Sequence, residues 1–206
     1  MLLLNKQIPL LGLIITLLLA YTFTWITFSN EKVFWYFYTF TVLFLMSIAF
    51  FYAKIDDKIK TIEYLLYGLG FGFLMYVIIA GGYKLLEWTP FLSTTSVKQF
   101  FSSFAPTSIW HYLLLLFIIA PGEELFWRGY IQQQLKRWMS PTIAIVLSAA
   151  LFSFSLIFSG FWLGVLGAFI SGIILGLLYE WKKSMPLIIL THIVMLVFLF
   201  LLFPLA

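Results

Sequence analysis

The stretch Pro121-Gly122-Glu123-Glu124-Leu125-Phe126-Trp127-Arg128-Gly129-Tyr130 holds the densest chemistry in this sequence. Two adjacent carboxylates follow a nearly uninterrupted apolar run, Tyr112 to Ala120, and an arginine stands four residues after the second. Ionisable groups in so apolar a setting must be paired, hydrated or neutralised. On a helix, Glu124 and Arg128 lie one turn apart and can bond directly, while Glu123 is rotated about 100° away. One carboxylate can thus be tied to the arginine while its neighbour faces a cavity. Two histidines complete the inventory. His192 lies six residues after Pro186, about 9 Å along its helix and at a depth similar to that of the glutamates. His111 begins the glutamates' own helix, about 18 Å from Glu123, and reads as an interfacial residue outside the site.

Other chemistries are excluded by what the sequence lacks. Asp56 and Asp57 are adjacent in one loop, so they cannot form the two-helix dyad of an intramembrane aspartyl protease. No Gly-x-Ser-x-Gly stands near a histidine, no His-Glu-x-x-His helix offers a zinc site, and no glycine-rich loop with its lysine cradles phosphate. With no cysteine there is neither a thiolate ligand nor a cysteine nucleophile. A divalent metal on His192, Glu123 and Glu124 is conceivable but falls short of the usual nitrogen-rich set. A transporter or proton path needs polar residues on several spans; the fifth to seventh offer few beyond Ser148, Ser153, Ser155, Ser171 and His192.

The elements that must position these groups are membrane helices. Of 206 residues, 63% are hydrophobic and 10% charged, with a mean hydropathy of +1.06, against about 25% charged in a soluble domain. A span takes about 20 apolar residues, and seven runs qualify: Ile8–Phe28, Val33–Ala53, Ile62–Ala80, Ile109–Glu124, Thr142–Ser159, Phe161–Tyr179 and Pro186–Pro204. The fold is therefore an all-α, polytopic membrane bundle. The fourth run is short, and is expected to continue as a helix through Leu125–Trp138, carrying Gln132, Gln133, Gln134, Lys136 and Arg137 out into water. Met1 to Lys6 precede a run too long for a signal sequence, which reads as a retained first span. The connection Tyr83–Pro106 has room for an interfacial or re-entrant element. Glycine pairs at Gly68/Gly72, Gly160/Gly164 and Gly172/Gly176 suit close helix crossings.

Cations set the orientation. The N-terminus and the second, fourth and sixth connections hold Lys6, Lys54, Lys58, Lys60, Arg128, Lys136, Arg137, Lys182 and Lys183; the other side holds Lys32, Lys84 and Lys98. This asymmetry places the N-terminus and the glutamate end in the cytosol. The net charge of +4 is thus topological and does not point to nucleic acid.

Glu123-Glu124-x-x-x-Arg128 at the end of a span, followed by Gly129-Tyr130, resembles the first motif of the CPBP (Abi) family of intramembrane proteases, which includes the CAAX-processing proteases. The resemblance continues through the span around Leu151-Phe152, the Gly172–Gly176 span ending at Tyr179, the Ser184-Met185-Pro186 turn and His192, from Trp110 to the end of the sequence. It implies that one glutamate activates water, that histidines place the water or a metal, and that an asparagine supports the oxyanion. Two positions depart from the pattern. Leucine stands at 156, where Phe152-x-x-x-His is expected, and at 196, where His192-x-x-x-Asn is expected. Leucine can neither ligate, donate a hydrogen bond nor transfer a proton.

The resemblance implies an intramembrane endopeptidase acting on a membrane-tethered peptide, with Glu123, Glu124, Arg128 and His192 as site residues. Either glutamate could serve as base, the other holding geometry with Arg128. The alternative is a non-catalytic relative that binds a membrane partner through the same cavity, as a scaffold or a bacteriocin-immunity protein. Residues 1–108 are expected to form N-terminal helices and residues 109–206 the core carrying the motif, within one membrane domain. A bacterial inner membrane suits the short loops and basic cytosolic face.

Overall fold

The structure, a computed structural model, describes residues 8–88 and 95–205. Lys6, the charge at the front of the first expected span, lies outside the described residues, as does the middle of the connection after Tyr83. Eight helices are described. They are α1 (Leu10–Phe28), α2 (Phe34–Tyr52, entered through a 3-10 turn at Glu31–Val33), α3 (Thr61–Trp88), α4 (Thr95–Phe104), α5 (Ile109–Leu135), α6 (Pro141–Ser155), α7 (Trp162–Lys182) and α8 (Met185–Val197, prolonged to Leu202). All but the short α4 belong to segments long and apolar enough to cross a bilayer. The protein is an all-α, multi-pass membrane protein.

Serines set several helix starts. Ser108, Ser140 and Ser184 each accept a hydrogen bond from the backbone N–H three residues on, which satisfies a donor the helix leaves orphaned. Pro141 and Pro186 follow in the first turn, where a missing N–H does no harm.

The fourth span is longer than its apolar run. α5 passes straight through the glutamates because it widens twice, at Leu115–Ile119 and Leu125–Ile131. There the backbone bonds reach five residues: the N–H of Ala120 donates to Leu115 O and that of Gln132 to Trp127 O. Such π-type turns cluster at functional sites. The helix ends at Leu135, and Lys136–Trp138 form a turn.

Gln132 and Gln134 correct the sequence expectation. Both are buried rather than in water. Gln132 donates to Gly176 O at 3.2 Å and Gln134 to Tyr52 O at 3.4 Å, so this end of α5 is walled in by α7 and α2. Gly160 corrects another: it takes a left-handed φ of 68° in the turn before α7, so Gly160/Gly164 is no crossing motif. The other two pairs do bring helices together. A Cβ on Gly72 would lie 2.6 Å from Val194 Cβ on α8, and one on Gly172 2.9 Å from Ala149 Cβ on α6. The α3–α8 packing is the most extensive in the bundle, and the α6–α7 packing is also large.

Residues 53–60, between α2 and α3, run as an extended strap across the motif end of the bundle. Lys54 N–H donates to Gly129 O at 2.9 Å, Met185 N–H to Asp56 O at 2.8 Å and Lys58 N–H to Lys183 O at 3.1 Å. The Tyr179 hydroxyl donates to Lys54 O, and Ser184 Oγ bonds Asp57 Oδ1 at 2.8 Å. Lys183, beside it, has a φ of 50°; partial burial pushes its amine below the usual lysine range, against the pull of Glu180 at 2.5 Å. The opposite end is aromatic: Phe34 meets Phe104 at 4.8 Å and Phe100 stacks on Phe161 at 4.6 Å. Through these contacts the ten-residue α4, in the long connection, is docked against the bundle.

Candidate active site

Three of the four singled-out residues meet in one buried cluster. Glu124 is fully buried, Arg128 is 1% exposed and His192 7%. Arg128 Nη1 donates to Glu124 Oε1 at 3.0 Å, one helical turn apart as the spacing predicts. His192, brought in by α8, places Nδ1 2.8 Å from the same oxygen. This contact engages Nδ1, so Nε2 remains the ring's second nitrogen for another partner. Phe152 faces the guanidinium at 4.8 Å, and the bare α-carbon of Gly172 leaves it room: a Cβ there would come within 3.3 Å of Nη2. Glu124 Oε2 and Arg128 Nη2 are buried with no hydrogen-bond partner.

Glu123 is directed elsewhere. It is partly exposed and lines a cavity between α1, α2, α5 and α6, with Tyr38, Trp127, Ser155 and Leu156 among its walls. The enclosed space has room for about one water molecule. The Tyr38 hydroxyl donates to Glu123 Oε1. His192, Glu124 and Arg128 are its ionisable neighbours. The two adjacent carboxylates therefore have separate surroundings: one is locked into an ion pair, the other opens on a cavity.

Gly122 explains how α2 comes so close. A Cβ at that position would collide with Val42 Cγ1, so only glycine lets α2 lie against α5 beside Glu123. Tyr38 was not legible from sequence. It is one of eleven tyrosines, and no periodicity ties it to a residue in another helix. The glycine before the glutamate pair was the available hint.

His111 is held apart. Its ring stacks on Trp35 at 4.7 Å and contacts Thr107, in keeping with an interfacial role. Leu156 shares the cavity with Glu123, whereas Leu196 is buried in the apolar cluster around α3 and α8. The Arg128 guanidinium and the His192 ring both contact Glu124 Oε1, and the Tyr38 hydroxyl contacts Glu123 Oε1. Among the described residues no three His, Cys, Asp or Glu side chains are grouped to hold an ion.

Comparison with known proteins adds one finding. Residues 105–198 match the family model described as type II CAAX prenyl endopeptidase Rce1-like. That stretch carries both glutamates, the arginine and the histidine. No curated protein and no solved structure matches the chain.

Proposed function

We propose, from an Rce1-like domain at residues 105–198, that the protein is an intramembrane endopeptidase in which Glu123 is the base. The observation that carries this reading is the division of labour between the two carboxylates. Glu124, fixed by Arg128 and His192, is not among the residues that line the cavity, while Glu123 is. A general base must reach the proton it abstracts, directly or through one water.

Glu123 removes a proton from a water in the cavity as the oxygen attacks the scissile carbonyl carbon. The C–N bond then breaks, and the proton on Glu123 passes to the leaving amine. His192, oriented through Nδ1 by Glu124, has Nε2 to place the water or the carbonyl. The substrate is a membrane-tethered peptide. A largely apolar groove bounded by Met46, Phe50, Phe51, Ile55 and Leu125 lies along α2 and α5 and suits a chain that stays partly in lipid. The cation asymmetry supports a site toward the cytosolic leaflet.

A second reading rests on the two leucines. Leu156 presents an apolar wall to Glu123, and Leu196 offers no amide beside His192. Loss of one oxyanion donor alone lowers rates about 10²–10³-fold. On that reading the protein binds a membrane partner without cutting it, in the manner of a scaffold or immunity protein.

One experiment separates the two. New protein N-termini are compared in membranes from cells carrying the wild type, Glu123→Gln or Glu124→Gln at matched folded levels. Termini present with the wild type and missing with Glu123→Gln are expected. Identical profiles, with the biological effect retained, would refute catalysis and leave the binding role.

A further inference from the structure

The cavity raises a question that the motif residues do not answer: what holds Glu123 when position 156 carries no polar group? Ser153 and Ser155 are the nearest hydroxyls on that helix. Ser155 also lines the cavity, but its single proton is committed to Phe152 O at 2.7 Å; that of Ser153 goes to Ala150 O at 3.0 Å. Neither has a donor left for the carboxylate. The polar group that does reach Glu123 comes from outside residues 105–198 altogether.

We propose that Tyr38 is the positioning residue for the base. Its hydroxyl holds one oxygen of Glu123 and leaves the other to the cavity water, supplying the hold that a polar side chain at 156 would give. This rests on the endopeptidase reading. The ring itself is fixed. Phe34 and Phe28 pack against it at 5.3 and 6.3 Å between ring centres. One turn along α2, Thr41 bonds Thr27 of α1 at 3.0 Å. Gly122 sets the approach of α2 to α5 directly beside Glu123. Tyr38, Glu123 and Leu156 all face the same cavity, so a side chain at 156 long enough to reach the carboxylate would compete for the same role.

The test uses the full chain in native membranes and follows the rate at which Glu123-dependent N-termini appear. Tyr38→Phe, which removes only the hydroxyl, is expected to slow cleavage about 10²-fold. Adding Leu156→His to Tyr38→Phe is expected to recover at least about tenfold of that loss, because the imidazole can hold Glu123 from the other wall. A purely structural tyrosine would not be rescued by a change on a different helix. Wild-type rates in Tyr38→Phe overturn the assignment while leaving the endopeptidase intact, and so does a loss that Leu156→His fails to recover. If wild type and Glu123→Gln give the same termini, the endopeptidase reading itself falls, and this assignment with it. Should Tyr38→Phe reduce the folded amount, Tyr38→His decides: a rate at least a tenth of wild type supports the assignment, and a rate at the Glu123→Gln level overturns it.

Discussion

Arg128 sits in the bundle interior against Glu124 and the face of Phe152, and Glu124 also contacts His192. Removing one partner of such a pair strands a buried charge, which costs about 3–5 kcal/mol. Arg128→Met is therefore expected to lower stability by that amount, and adding Glu124→Gln to recover most of it, as read by thermal unfolding in detergent micelles. The two leucines should answer differently to polar replacement. Leu196→Asn buries an amide in an apolar cluster and should cost about 1–3 kcal/mol, while Leu156→His opens on the cavity and should cost less. Equal shifts in the unfolding midpoint would contradict that contrast. At this scale the sequence was legible wherever spacing is rigid. Glu124 and Arg128, four apart on one helix, paired as expected, and His192 arrived at the predicted depth. Which of two neighbouring carboxylates faces the cavity depends on where α2 and α8 pack, and no local pattern encodes that.

Helix packing turns on glycines that look alike in the sequence. A Cβ on Gly72 would press on Val194 and on Thr191 O at 2.8 Å, whereas one on Gly70 meets nothing within 4 Å. Gly72→Ala is expected to pry α3 from α8 and to destabilise by about 1–3 kcal/mol. Gly70→Ala should instead stabilise by about 0.5–1 kcal/mol, through helix propensity. Unfolding midpoints that move in the same direction for both would sink this account. The spans themselves were readable because each is an apolar run long enough to cross. The wide turns of α5 were not, since no residue pattern marks a five-residue backbone bond. The polar run after Arg128 misled for a physical reason: glutamines normally seek water, but here the backbone carbonyls of Gly176 and Tyr52 stand in for it.

At the level of the whole molecule, the strap and the cation-rich turns share one end and the aromatic contacts the other. If charge sets the insertion, Glu31→Cys should react on intact cells with a membrane-impermeant maleimide, and Lys58→Cys only after the membrane is opened. The cysteine-free chain gives no background. The reverse pattern would invert the orientation and move the site to the outer leaflet. The strap also has a meaning in time. Its backbone groups at Lys54, Asp56 and Lys58 leave the ribosome long before Gly129, Lys183 and Met185, to which they bond, and synthesis runs from the N-terminus. Lys54 meets Gly129 once α5 is in and Tyr179 once α7 is, while Asp56 O waits for Met185 at the start of α8. Closure of this end waits for the last span, and the same event delivers His192 to Glu124. A chain stalled before α8 thus lacks the Met185 contact of its clasp and its histidine, which makes insertion of α8 the step that assembles the site.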